Sequence, residues 1–179
     1  MAAVLHGMLY VVREIRYLGI EPDFVLLEAM VHYLDAFLGR FHHPKEDAYL
    51  FKLLGIRYPG AVPLLDRLKH EHESGAVKLR ELQQALTRYR NGGPAEFSDF
   101  AALVADYSAF HWEHMRLEEN DLLPLAERHL TDADWHAIDA AFLGQTNPLL
   151  GAEQGDEYRE LFRRIVSLAP PPIGVAPAR

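Results

Sequence analysis

The chain has 179 residues, 49% of them apolar and 25% charged, which suits one domain with a real core. A net charge of −8 argues against the basic face that phosphate binding needs, so nucleic acid is not an expected partner. No apolar run approaches the roughly 20 residues that span a bilayer, and MAAVLHGMLYVV lacks the basic start of a secretory signal, so a cytoplasmic protein without a membrane partner is expected.

Helical periodicity runs through nearly the whole sequence, with no convincing alternating strand. A first helix is expected over Ala2 to Leu18, stopped by Gly19. Glu21-Pro22-Asp23 reads as the start of a second, with Pro22 in its first turn and an end near Leu54. GIRYPG (Gly55–Gly60) reads as a loop, and Pro63 opens a third helix that runs to about Arg90. NGGP is the clearest break. A fourth helix is expected from about Ala95 to Leu130, kinked near Pro124. TDAD has the chemistry to cap a short fifth helix ending near Gly144; a looser segment and a sixth helix, about Asp156 to Leu168, follow. The predicted fold is all-α: an up-down-up-down four-helix bundle over residues 1–131, a helical extension over 132–168 packed on it, and a structureless Pro-rich tail over 169–179.

There is no cysteine, so thiolate nucleophiles, disulfides and Cys-based zinc or iron–sulfur sites are excluded. Ten histidines are the unusual feature, and periodicity sorts them. In RFHHPKEDAYLF, His42 and Glu46 continue the apolar stripe Leu27, Val31, Leu34, Leu38 and lie one turn apart. His43 and Asp47 are rotated about 100° away, onto a flank that is either solvated or packed against inward groups. In the third helix His72 shares a stripe with Leu65, Leu68 and Leu79, while His70 falls on the wet side with Lys69, Glu71 and Glu73. In the fourth, His114 and Glu118 repeat the His-x-x-x-Glu spacing among Leu103, Tyr107 and Leu122. His111 lies on that stripe as a pocket-lining residue, and Glu119 is turned away from it. His32, His70, His129 and His136 read as surface residues.

A lone histidine on an apolar stripe is usually a satisfied core residue. Two carboxylates and three imidazoles on the inner faces of three helices are a poor way to build a plain core, because a buried unpaired carboxylate must find a partner or shift its pKa. They are a good way to hold one or two cations. Imidazole and carboxylate suit iron, manganese or zinc. The expected ligands are His42, Glu46, His72, His114 and Glu118.

HHPKED followed by YLF, then EHESG, then HMRLEENDLLPLAER, resembles the hemerythrin-like family with HHE cation-binding domains, over roughly Ala2 to Leu130. The resemblance implies a four-helix bundle with a non-haem iron centre of one or two ions, with manganese or zinc ranking behind iron. It also implies a role in oxygen or nitric oxide binding, redox sensing or iron handling, so the metal and a diatomic gas are the implied partners. Matched motif to motif, His42 and Glu46 fall on the second-helix ligands, His72 on the third-helix histidine, and His114 and Glu118 on the fourth-helix pair. The chain departs from the pattern at its start. His6 is the only histidine of the first helix and falls downstream of the usual first-helix ligand; AAVLHGM has no capping residue before it, so the expected ligand would lie upstream.

Three functions compete on this reading. The first is a metal-binding bundle that responds to oxygen, nitric oxide, redox state or iron level, acting through a partner or through the metal itself, with a protein partner or a homo-oligomer as the assembly. The second is a di-iron enzyme reacting with dioxygen or peroxide. The third is a bundle whose site has decayed and which serves as an interaction protein.

Overall fold

The computed structural model describes residues 1–142, 153–171 and 173–175, and among these there is no strand. Helix α1 is Ala2–Leu18, ended by Gly19 at φ 64°, a left-handed conformation that side chains with a Cβ avoid. Helix α2 covers residues 24–57. It starts at Phe24 because the Asp23 carboxylate accepts the Leu26 N–H at 3.1 Å, so Pro22 precedes the helix instead of opening it. The helix also runs on to Arg57, past the start of the expected loop. Helix α3 is Val62–Gly92, with Pro63 in its first turn, where a missing N–H is no loss. Helix α4 covers residues 97–129, α5 is Asp132–Phe142 and α6 is Glu153–Leu168. The expected end of α5 near Gly144 and the looser segment after it lie outside the described residues.

Helices α2 and α4 are not regular. Over Asp35–His42 and Glu46–Phe51 in α2, and Glu118–Leu122 in α4, the turns take the wider π form. The His43 N–H donates to Leu38 and the Leu123 N–H to Glu118, each carbonyl lying five residues back. Both bonds end at the residue before a proline, Pro44 or Pro124. Proline has no N–H, and its ring collides with the carbonyl four residues earlier. A widened turn relieves that collision, and each proline then sits in the first turn of the next α-helical segment. Each widening adds about one residue to the helical count, which turns the side chains beyond it by about 100° from regular register.

Helix α3 packs along α4 and α2, and α1 against α4 and α2. The pairs Glu71–His114 and Lys78–Asp106 join α3 to α4, and Glu28–Arg90 and Glu46–His72 join α2 to α3. Residue numbers rise on one helix as they fall on the next, so these neighbours are antiparallel. Two apolar clusters fill the bundle. One includes Leu5, Met30, Leu34, Leu82, Phe100 and Tyr107; the other includes Phe51, Leu54, Leu68, Leu122 and Ala126. Between them runs a layer where α2 carries His43 and Glu46, α3 carries His72, and α4 carries His111, His114 and Glu118.

The C-terminal elements are fastened to this frame. Thr131 and Asp134 cap α5 reciprocally: the Thr131 hydroxyl accepts the Asp134 N–H at 3.3 Å, and the Asp134 carboxylate accepts the Thr131 N–H at 2.9 Å. Arg57 donates two bonds to the same carboxylate, at 2.8 and 3.1 Å, which ties the end of α2 to α5 and holds the Asp134 carboxyl well below the usual range. Helix α6 packs on α2, with Ile165 and Ala169 inside the first apolar cluster. The expected structureless tail is ordered in its described part: the Val175 N–H returns to the Val166 carbonyl at 2.9 Å, and Ile173 packs against the first cluster, while residues 172 and 176–179 lie outside the described residues. No helix among the described residues is long and apolar enough to cross a membrane.

Candidate metal centre

The polar layer is built from three helices. On α2 the widened turn before Pro44 brings two adjacent histidines toward the interior. The His43 residue is only 8% exposed, whereas the His42 side chain keeps 26%. The flank assigned to His43 by regular helical angles is therefore an inner face. On α3, regular throughout, His72 points inward and its ring stacks on that of His43, centroids 3.9 Å apart and nearly parallel. From α4, His114 stands edge-on to both rings, at 5.0 Å from His72 and 5.6 Å from His43.

Two carboxylates join the rings. Glu46 Oε2 lies 3.5 Å from His72 Nε2, and Glu118 Oε1 lies 3.2 Å from His114 Nε2, neither with hydrogen-bond geometry. Glu119 is exposed, as its helical angle predicts. Two groups of three donors result: His43, His72 and His114, and Glu46, His72 and Glu118. Within each group the donor atoms lie within 4.8 Å of one another, and His72 belongs to both. His42 lies beside them, its Nε2 3.6 Å from Glu46 Oε1, but in neither group. The structure thus brings together four of the five residues expected as ligands, Glu46, His72, His114 and Glu118, adds His43, and leaves His42 at the edge. Helix α1 contributes to neither group, and His6 is exposed, its ring 4.6 Å from that of Trp112.

Behind the rings stands a second row of carboxylates. His72 Nδ1 is 3.2 Å from Asp47 Oδ1, and His114 Nδ1 is 2.9 Å from Glu71 Oε2. Arg67 in turn donates to the other Glu71 oxygen at 2.9 Å. A ring that gives its Nδ1 proton to a carboxylate leaves Nε2 bare as a lone-pair donor. In both rings it is Nε2 that faces the interior. Periodicity sets Glu71 on the wet side of α3; its backbone position is a flank, but the long side chain reaches round to the next helix. The one trace of this in the sequence is the Arg67–Glu71 pair, four residues apart.

His111 completes the layer. It is 1% exposed, both ring nitrogens lack a partner, and its centroid lies 4.4 Å from that of Tyr107. Room for it comes from Gly75 on α3, where a Cβ would come within 3.4 Å of the imidazole.

Burial fixes the protonation states. It drives His43 far down, and His72 and His111 to about 3, so all three are neutral with lone pairs available. Burial, reinforced by the charge of Glu118, pushes Glu46 up to about 9. Burial also pulls on His114, but its contacts with Glu118 and Glu71 outweigh that and leave it raised. Without a cation, Glu46 must hold a proton in this layer; a bound cation would stabilise its anion instead.

The unmet polar atoms test whether a metal fits. Among the described residues, the buried side-chain nitrogens and oxygens without a partner are His43 Nε2, Glu46 Oε2, His72 Nε2, both His111 nitrogens, His114 Nε2 and Glu118 Oε1, with Ser108 Oγ beside them. Each such group costs about 1–3 kcal/mol unless satisfied. Together they rival the ~5–15 kcal/mol net stability of a whole domain. Five of them belong to the residues of the two donor groups, His43, Glu46, His72, His114 and Glu118, and neutral imidazoles with carboxylates are the donor set a transition-metal ion takes.

The family model of the hemerythrin HHE cation-binding domain matches residues 8–126. The chain belongs to the hemerythrin HHE cation-binding family. No curated protein and no solved structure matches it. The matched segment takes in every residue of the layer, from His42 on α2 to Glu118 on α4, so the cation that the hemerythrin HHE domain implies has a chemically fitting seat here.

Proposed function

We propose that the protein binds one or two transition-metal ions, iron foremost, in the layer between α2, α3 and α4, and serves in the response to oxygen, nitric oxide, redox state or iron level. The observation that carries this reading is the convergence of the partnerless donors into two adjacent groups sharing His72. The proposed ligands are Glu46, His72, His114 and Glu118, with an α2 imidazole from His42 or His43. The geometry favours His43. Manganese or zinc would use the same atoms, and iron ranks first from the family.

Iron bound there would supply a one-electron couple and the capacity to bind a diatomic gas. The chain's own groups do the rest. The two carboxylates would offset the charge of the ion, His43 and His72 are already neutral and would donate lone pairs, and His114 would do so on giving up the extra proton that Glu118 and Glu71 favour. Asp47 and Glu71 hold two of those rings in the ligating tautomer. The apolar clusters pack on either side of the layer along the bundle.

Elemental analysis tests the proposal directly. Protein produced in iron-rich medium, or reconstituted anaerobically, should carry about one to two equivalents of iron, the number that two adjacent donor groups can hold. Less than about a tenth of an equivalent of any transition metal, where a site of this donor chemistry should fill, would overturn the reading.

A further inference from the structure

Beside the polar layer a solvent-open cleft of about 510 Å³ runs down between the helices to His43, His72 and His111. Its charged lining is Asp35, Asp47 and Glu73 against Arg80, with Arg40 3.5 Å from Asp35 and Lys69 acting on Asp47 from outside the lining. Asp47 stands at the boundary between cleft and layer: its side chain is 39% exposed, while its Oδ1 lies 3.2 Å from His72 Nδ1. Below it, His43 and His111 are more than nine-tenths buried and end in ring nitrogens without partners.

The face of the layer around His42 and Lys45, neither of which lines the cleft, is different. There the His42 ring lies between Phe37 and Phe142, with centroids at 5.1 and 5.9 Å. The Lys45 ammonium sits 3.7 Å from the centre of the Phe41 ring. A cation approaching on that side meets aromatic rings and an ammonium; through the cleft it meets carboxylates and then neutral imidazoles.

We propose that this cleft is the route by which a hydrated divalent cation reaches the layer. Asp35 and Glu73 draw it in, and Asp47 holds it at the threshold while it exchanges water for imidazole. The size agrees: an ion with six waters needs roughly 200 Å³, taking about 30 Å³ per water, so the cleft has room for the ion with its shell. A half-exposed carboxylate suits the hand-over, since it can hold an ion that still keeps part of its water. The inference rests on the metal-binding reading and adds the direction of loading.

Cobalt(II) is a suitable probe, because its visible absorption reports the change from water to imidazole and carboxylate ligands. Metal-free full-length protein would be mixed with cobalt(II) in a stopped-flow instrument at low and high salt. The double variant Asp35→Asn/Glu73→Gln should load about tenfold more slowly at low salt, the lower end of what a charged cleft contributes to association. That difference should shrink as salt screens the rim, and the final cobalt-to-protein ratio should be unchanged. Ala76→Trp, at an exposed position in the cleft lining, should slow loading at every salt concentration. Lys45→Met, outside the cleft lining, should not slow it. If both cleft variants load at the wild-type rate, the route is wrong while the metal reading stands. If the wild-type protein takes up no cobalt at all, the metal reading itself fails.

Discussion

Helices α2 and α3 face each other across the layer and solve the same problem in opposite ways. Helix α3 is regular over all 31 residues and offers one inward imidazole, His72, with His70 turned out to 80% exposure. Helix α2 is interrupted by two wide segments around Pro44 and presents His43 and Glu46 inside, His42 at the edge and Asp47 at the threshold. A regular helix aims one residue per turn at a given point. A widened one crowds neighbouring residues onto the same face, which is what a site with several donors from one strand of sequence requires. Helix α4 combines the two: regular through His111 and His114, then wide from Glu118 to the residue before Leu123 and Pro124.

If the regular helix supplies the anchor, His72 should be the most costly residue to lose, since it alone belongs to both donor groups. His72→Leu should lower metal affinity by more than about 100-fold, beyond the range set by orienting groups alone. Titration of the apo-protein with iron(II) or cobalt(II) measures this. Retention of near-native affinity would mean that α2 and α4 hold the metal without α3. Next in size is Glu118→Ala, expected to cost about 100-fold, while Glu119→Ala should cost less than about threefold, because only the former reaches the layer. Equal losses in the two variants would show that α4 turns differently from the structure.

The contrast between α2 and α3 also explains what could be read from the sequence. Where the backbone is regular, helical angles put residues in their places: His72 in and His70 out on α3, and His114 in on α4; Glu118 in and Glu119 out also follow, because they stand at the very start of the wide segment. The all-α class followed from the same periodicity, and NGGP marked the break between α3 and α4. Through HHPKED the same arithmetic fails, because it assumes 3.6 residues per turn across a segment where proline has widened the turn. It therefore placed His42 where the structure sets His43 deeper. Pro44 and Pro124 were visible as disturbances, but not the amount of rotation they impose. Glu71 was missed for another reason: helical angles locate a Cβ, while a glutamate extends far enough to serve the neighbouring helix. The return of the tail onto α6 rests on Val175 and Ile173, whose partners lie outside any local pattern.

Two substitutions sharpen the comparison. Glu71→Gln keeps the shape but removes the charge that holds the His114 Nδ1 proton, so metal affinity should fall about 10–100-fold with the fold intact. A fall no larger than for an exposed control such as Glu81→Gln would reduce Glu71 to a surface partner of Arg67. Pro44→Ala lets α2 close toward a regular turn and swings His43 out of line. Metal affinity should drop about tenfold, the low end of misorienting a donor. The metal-free protein should gain about 1 kcal/mol, the worth of one restored backbone hydrogen bond, since the widened turn already relieves the ring's collision. Chemical denaturation with and without metal separates the two effects, and a variant that gains stability and binds metal unchanged would disconnect the wide turn from the site.

The smallest expected effect is the pH profile of the metal-free protein, and it can be derived group by group. His72 and His111 are pushed down to about 3 by burial, from ordinary values of 6.5. A depressed group gives stability that is present above its unfolded pKa and is lost as pH falls toward the folded one. The acid limb should therefore run from about pH 6.5 down toward 3. Glu46 is displaced the other way, from 4.5 to about 9, and His114 is also raised. A raised group gives stability that is complete below its unfolded pKa and is lost as pH climbs, so Glu46 weakens the fold progressively from about 4.5 to 9, and His114 adds to the loss above 6.5. Between 4.5 and 6.5 the lowered imidazoles, His42 and His43 as well as His72 and His111, outweigh the raised carboxyls of Glu46 and Asp47, so the midpoint temperature should peak near pH 6.5 and decline on both sides. Bound metal should remove the alkaline decline, because a cation holds Glu46 as the anion that the empty layer resists. A metal-free protein whose midpoint keeps rising from pH 6.5 to 9 would show that Glu46 is already ionised, and that the layer contains water or a counter-charge that satisfies it without a cation.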